Sequence, residues 1–261
     1  MRVHKLHSWN LTPREAARVR SERRGRWEGC DRFAEGAGKI AYVAGCDAAY
    51  FLGGSQALGK RSRQGALREA NRAIAGVIVY RFPDMIEVER VYAQAPLRFP
   101  YVPGLLSFRE CPALLAAFRK LKHEPDVIFC DGQGIAHPRR FGLACHLGGL
   151  LDRPTSGCAK SRLIGEEREP GQRAGNWTAL TVGSGGKKET IGAVLRTRDG
   201  VRPIYVSQGH RVTLETAIRL TLAVCDGSRI PRPTREADRY VGELKRAGAG
   251  SPRARKEKMP G

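Results

Sequence analysis

Two short apolar runs that each close on an aspartate constrain this chain more than any other feature. They are Ile40-Ala41-Tyr42-Val43-Ala44-Gly45-Cys46-Asp47 and Pro125-Asp126-Val127-Ile128-Phe129-Cys130-Asp131. Runs of this length with no helical spacing predict buried strands. A carboxylate at the end of a buried strand stands at the rim of the sheet, where open α/β sheets build their sites.

The rest of the pattern fits a sheet covered by helices. Ala73 to Phe82 is a further apolar run, Pro83-Asp84 makes a turn, and Glu87 to Ala95 alternates as a half-exposed strand does. With the first run, these predict an antiparallel meander. Pro154 to Lys160 and Ile191 to Val206 supply more strands, the latter as a hairpin around Asp199-Gly200. Helices are expected over Phe108 to Leu121, Phe141 to Leu150, Thr213 to Val224 and Thr234 to Lys245, with Thr234 as a cap. An Arg-rich helix should begin at Thr12-Pro13-Arg14-Glu15 and run to about Trp27, with Thr12 and Glu15 as a capping box. The fold class expected is α/β, a mixed sheet flanked by helices. Gly132 to Arg139 is a loop, and Gly183-Ser184-Gly185-Gly186-Lys187-Lys188 is a flexible loop whose spacing excludes a phosphate-binding P-loop.

One catalytic domain over residues 1–245 is expected, followed by a basic disordered tail over 246–261. The formal net charge is +20, from 46 Lys and Arg against 26 Asp and Glu. That excess points to a polyanionic partner, most commonly nucleic acid. A basic composition alone says nothing about specificity. Seven cysteines with no C-x-x-C pair, several inside apolar runs, argue against a disulfide scaffold or a structural zinc site and for a reducing compartment. No apolar stretch approaches the ~20 residues of a membrane span. The first ten residues lack the apolar core of a signal peptide. A cytoplasmic protein with no membrane partner is expected.

Asp47, Glu110 and Asp131 stand at strand or helix ends. Carboxylates that converge at a sheet rim bind Mg²⁺, a hard cation that favours oxygen ligands. Such a cation activates water and steadies the leaving oxygen in phosphodiester hydrolysis. Acids also end strands simply because turns accept them, and three residues so far apart cannot be joined by spacing. Their local contexts decide the matter.

Phe99-Pro100-Tyr101-Val102-Pro103-Gly104-Leu105-Leu106-Ser107-Phe108-Arg109-Glu110 and Asp131-Gly132-Gln133-Gly134-Ile135-Ala136-His137-Pro138-Arg139-Arg140-Phe141-Gly142-Leu143-Ala144 are long, specific motifs. With Trp9 to Pro13, Gly157 to Ser161, Val206 to Val212 and Pro233 to Arg239, they resemble the endonuclease V family in consistent order over roughly residues 9 to 240. The resemblance implies a ribonuclease H-like fold. It implies a Mg²⁺-dependent deoxyinosine 3′-endonuclease, with Mn²⁺ able to substitute, that cuts the second phosphodiester bond 3′ to the lesion in DNA repair. Asp47, Glu110 and Asp131 match the family's metal-binding acids, and Lys160 and His210 its additional catalytic positions. Tyr101 matches a wedge that enters the duplex. Val102, Pro103, Gly104, Leu106, Gly132, Gly134 and His137 fall in the substrate-binding segments.

The residues themselves suit these roles. Prolines on both sides stiffen the Tyr101 loop, so its ring can fill the gap left by an extruded base. Gly104, Gly132 and Gly134 allow close backbone approach. Lys160 can place a cation on a phosphate oxygen, and His210 can orient or deprotonate water. His137 either shapes the Asp131 loop or contacts the nucleotide. Three positions depart from the family's pattern: Ala48 follows Asp47 where a bulkier or hydroxylated residue is common, Gln133 stands where His is common, and Gln208 where Pro is common. None removes a candidate ligand; they bear on substrate preference. The partner expected is deoxyinosine-containing DNA, bound by a monomer. The alternatives are an endoribonuclease acting on inosine in RNA and a non-catalytic nucleic-acid-binding protein on the same fold. A complete acid set argues against the second.

Overall fold

The computed structural model describes residues 1–23, 40–52 and 70–247. Its elements run α1 (Pro13–Arg23), β1 (Tyr42–Phe51), β2 (Arg72–Arg81), β3 (Ile86–Pro96), α2 (Leu106–Phe118), β4 (Val127–Cys130), α3 (Leu143–Leu151), β5 (Thr155–Ala159), β6 (Trp177–Val182), β7 (Glu189–Leu195), β8 (Ile204–Gln208), α4 (Leu214–Ala223) and α5 (Arg232–Arg246). The strands form one mixed sheet in the order β3-β2-β1-β4-β5-β8-β7-β6. β1, β4 and β5 are parallel to one another, and the remaining pairs are antiparallel.

The expected meander of β1, β2 and β3 is present. β1, however, does not stop at its aspartate. Its parallel ladder with β4 ends at Cys46 opposite Cys130, while its antiparallel ladder with β2 carries it on to Phe51. Asp47 is therefore the first residue past β4's reach but still held by β2, opposite Gly76. Asp131 directly follows β4. The two acids meet at the same rim.

Alternation along β1 and β4 divides the core. Ala44, Cys46, Ile128 and Cys130 pack under α2 and α3, whereas Val43, Val127 and Phe129 pack with Leu220 and Val224 of the α4 region and with Tyr240 of α5. By the same period-2 rule Asp47 and Asp131 share the α5 face. Gly45 lets α5 sit close: a Cβ there would lie 2.0 Å from the Pro233 carbonyl oxygen.

Several ends differ from expectation. The capping box at Thr12 is formed: Glu15 N–H donates to Thr12 Oγ1 at 3.3 Å and Thr12 N–H to Glu15 Oε2 at 2.8 Å. The expected end of that helix near Trp27 lies outside the described residues. Thr234 is not the cap of the last helix. That helix begins at Arg232 behind Pro231, and the buried Thr234 hydroxyl donates to the Pro231 carbonyl at 3.1 Å. Proline at the first turns starts a helix without a side-chain cap. β6 was not expected. It is the edge strand, paired with β7 and joined on its other side only by a single bridge from Thr181 to Glu166 among the described residues, and its burial lacks a clean alternation. The Gly183–Lys188 segment forms the turn between them. Of the basic tail, residues 248–261 lie outside the described residues. No described helix is long and apolar enough to cross a membrane.

Candidate active site

Four acids gather where β1, β4 and α5 meet the start of α2. Asp47 lies on β1 and Asp131 just after β4; Glu110 comes from the first turns of α2, buried at 8% exposure. The fourth is Asp238, delivered by α5 over Gly45. Lys160, the residue after β5, places its ammonium 2.6 Å from Asp131 Oδ2 and 2.7 Å from Asp238 Oδ2. Two carboxylates from different elements thus share one cation. Sequence reasoning had seen Asp238 only inside a matched segment. Its signal was present: an acid on the face of a helix whose first turns must touch the acid-bearing strand.

Electrostatics tie the cluster together. Burial, and then the charges of Asp131 and Asp238, push Asp47 up to about 7. Burial, with the charges of Asp47 and Asp131, pushes Glu110 up to about 8, although the Tyr50 hydroxyl donating to Glu110 Oε1 at 2.7 Å opposes the rise. A set of carboxylates that resist ionising beside one another is one that a divalent cation stabilises, and all its donors are hard oxygens. The residues fit such an ion. Among the described residues no three donors are closed to coordination spacing, and Lys160 holds Asp131 and Asp238 instead.

The loop before α2 lies beside the cluster. Arg109, next to Glu110 in the chain, is buried and donates to the Phe99 carbonyl at 3.0 Å and the Ala70 carbonyl at 2.9 Å. Its guanidinium also lies 5.2 Å from the centre of the Tyr50 ring. Tyr101 and Val102 are half-buried, Pro103 and Gly104 exposed, and Leu106 is 41% exposed. Gly104 has φ of +78°, a conformation that favours glycine. Its carbonyl accepts from Arg20 Nη1 of α1.

The Asp131 loop is built by close packing. A Cβ at Gly134 would lie 2.0 Å from the Gln208 carbonyl oxygen. Gly134 is thus spent on packing against the end of β8, where its N–H donates to Ser207 Oγ at 2.9 Å. Gly132 is half-exposed and borders Leu143 of α3. His137, 7% exposed, bonds the Gly104 main chain, and its Nδ1 accepts from Arg139 N–H at 3.3 Å. Burial and the charges of Arg20 and Arg139 pull it down to about 4, so it is neutral at physiological pH.

His210 is not brought to the acids. β8 runs antiparallel to β5, so the residues after β8 lie at the beginning of β5, the opposite end from Lys160. There Thr155 N–H donates to the His210 carbonyl at 2.9 Å, and His210 Nε2 lies 3.3 Å from Asp152 Oδ1.

A mixed sheet with helices on both faces and an acid cluster at the rim of its central parallel strands defines a ribonuclease H-like α/β protein. The profile of the Endonuclease V family matches residues 30–239. Endonuclease V of Trichormus variabilis is 45% identical over 241 residues, 92% of this chain and 99% of the relative. The crystal structure of Endonuclease V from Streptomyces avermitilis superposes with a TM-score of 0.77 at 36% identity, over 93% of this chain and 96% of that one. Endonuclease V of Ciona intestinalis, solved with a 24mer DNA containing an inosine followed by a ribo-adenosine, superposes with a TM-score of 0.70 at 27% identity, over 90% and 98%. The chain belongs to the endonuclease V family and is a nuclease.

Proposed function

We propose that this protein is a Mg²⁺-dependent DNA-repair endonuclease that recognises deoxyinosine and hydrolyses the second phosphodiester bond 3′ to it. The observation that carries this reading is the convergence of Asp47, Glu110, Asp131 and Asp238 beside the proline-flanked Tyr101 loop. The inosine in the Ciona complex supports the choice of lesion.

Asp47, Glu110 and Asp131 would hold the cation, Mg²⁺ or in its place Mn²⁺, with Asp238 at its edge. When bound, it supplies an activated water and stabilises the leaving oxygen. Lys160 is placed to meet a non-bridging phosphate oxygen once the acids are engaged. Tyr50 holds the Glu110 carboxylate. Tyr101 fills the stack from which the base is drawn, with Val102, Pro103 and Leu106 as its apolar flank. Main-chain groups at Gly104 and Gly132 border the base, while Gly134 and His137 hold their loops in shape. The remote position of His210 supports a role in fixing β5 and β8. Residues 1–245 act as one catalytic domain, a monomer, with the basic segment 246–261 adding charge. Free thiols, five of the six described ones buried, fit a cytoplasmic setting.

A second reading is cleavage of inosine-containing RNA. The ribo-adenosine after the inosine in the Ciona complex favours tolerance of a 2′-hydroxyl in that protein. The test is to incubate labelled inosine-containing DNA and RNA, with undamaged controls, in Mg²⁺ or EDTA. Cleavage of inosine DNA in Mg²⁺ alone is expected, and cleavage of undamaged strands at the same rate would overturn the proposal.

A further inference from the structure

Among the described residues, two of the three buried arginines have an acid beside them. Arg196, 2% exposed, meets Glu169 at 2.6 Å and the carbonyls of Pro170 and Gly171. Arg109, 4% exposed, has two carbonyls and lies beside Glu110. Arg20 of α1 is 3% exposed, yet among the described residues its acceptor is the Gly104 carbonyl alone, and its Nε, like that of Arg109, has no hydrogen-bond partner. Among the described residues the charged group acting on it is another cation, Arg139. Arg139 is exposed and lies in the loop that follows Asp131. No described acid pairs with either guanidinium. Burial and Arg139 pull Arg20 down to about 10, which still leaves it charged at neutral pH.

An unpaired charge held out of water is costly unless a counter-charge arrives. Here Arg20 reaches the Gly104 carbonyl beside the His137 ring, whose Nδ1 takes the Arg139 N–H, so two cationic residues converge on His137 where the Tyr101–Gly104 loop meets the Asp131 loop. We propose that Arg139 and Arg20 form a subsite for a backbone phosphodiester flanking the extruded nucleotide. Arg139 supplies the exposed donors, and Arg20 supplies a poorly screened charge behind it. The planar guanidinium suits the two non-bridging oxygens of a phosphodiester. His137 cannot be the cation of this site, because it is neutral and both its nitrogens are engaged by the main chain; it holds the loops that frame the site. The inference rests on the endonuclease reading for the identity of the ligand, but not for its charge.

The test uses the full chain in Ca²⁺ with inosine-containing and undamaged duplexes, each made also with a single neutral methylphosphonate stepped along the strand. Arg139→Gln should flatten the slope of log affinity against log salt by about 0.9 on both duplexes. Arg20→Gln, which can still donate to the Gly104 carbonyl, should weaken binding several-fold. One methylphosphonate position should weaken the wild type and leave both variants unaffected. Inorganic phosphate should raise the melting temperature of the wild type more than that of Arg20→Gln. Unchanged salt slopes and methylphosphonate responses in both variants, with normal inosine cleavage, would overturn the subsite alone. So would a loss of stability in Arg20→Gln with wild-type affinity. Failure of the wild type to cleave inosine strands would overturn the endonuclease reading, while a flattened slope would still support the phosphate site.

Discussion

The Tyr50 hydroxyl donates to Glu110 Oε1 across 2.7 Å, joining the end of β1 to the start of α2. One strand therefore supplies a candidate metal ligand, Asp47, and three residues later the group that orients another. The Tyr50 ring also lies against Arg109, whose guanidinium holds the Phe99 carbonyl at the root of the Tyr101 loop. The acid cluster and the loop expected to enter the duplex share a scaffold.

Tyr50→Phe keeps the ring and removes the bond. A hydrogen bond to a charged group contributes about 1.5–3 kcal/mol. The expected result is a fall in kcat of roughly ten- to hundredfold and a higher Mn²⁺ requirement, with little change in melting temperature or in Kd for inosine DNA in Ca²⁺. Wild-type kcat in Tyr50→Phe would mean that Glu110 needs no such support.

Stability of the metal-free protein should depend on pH with a definite sign. Asp47 and Glu110, near 7 and 8 in the fold, have ordinary values of 3.8 and 4.5. Between these limits the folded chain keeps protons that the unfolded chain has released, so stability falls as pH rises. His137 acts oppositely, since its value drops from 6.5 to about 4, but only below pH 6.5. The clean window is pH 6.5 to 8. In EDTA the melting temperature should fall across it, Asp47→Asn should reduce the fall, and millimolar Mg²⁺ should offset it. A flat or rising profile in EDTA would contradict the electrostatic account.

Tyr101→Ala tests the wedge. Stacking of a base on an aromatic ring contributes ~1–3 kcal/mol. Affinity for inosine duplexes should fall about ten- to hundredfold, and affinity for single strands carrying the same lesion much less. Equal losses on both, or a drop in melting temperature instead, would make Tyr101 a packing residue.

Most of the sheet was legible because burial writes itself into short apolar runs. β1, β2, β3, β4 and the β7–β8 hairpin each carry that signature within a few residues. β6 was hidden because an edge strand has one neighbour and a mostly exposed face, so Trp177 to Val182 carries no clear period. Asp47 and Asp131 were legible as strand-end acids. That their strands lie parallel, and so bring both acids to one rim, is a fact of register that no local pattern contains. His210 shows the reverse case. It follows an apolar strand as the acids do, but that strand runs the other way, which puts it at the far end of β5. Thr234 had the composition of a cap, and Pro231, three residues earlier, took the helix start.

Asp238 carries the last expectation, because it was found by contact alone. It shares the Lys160 ammonium with Asp131 and contributes to the rise of Asp47. Removing it leaves Lys160 on Asp131 and makes Asp47 easier to ionise. If Asp238 served only to hold Lys160 on the surface, Asp238→Asn would leave cleavage untouched. If it belongs to the cation's outer ligands, Asp238→Asn should lower kcat or metal affinity by about ten- to hundredfold, as supporting groups around metal sites do. Glu243→Gln, on the same helix but outside the cluster, is the control and should behave as wild type. Cleavage rates over a Mn²⁺ titration separate the two cases. A curve for Asp238→Asn that overlays the wild type would return the fourth acid to the surface.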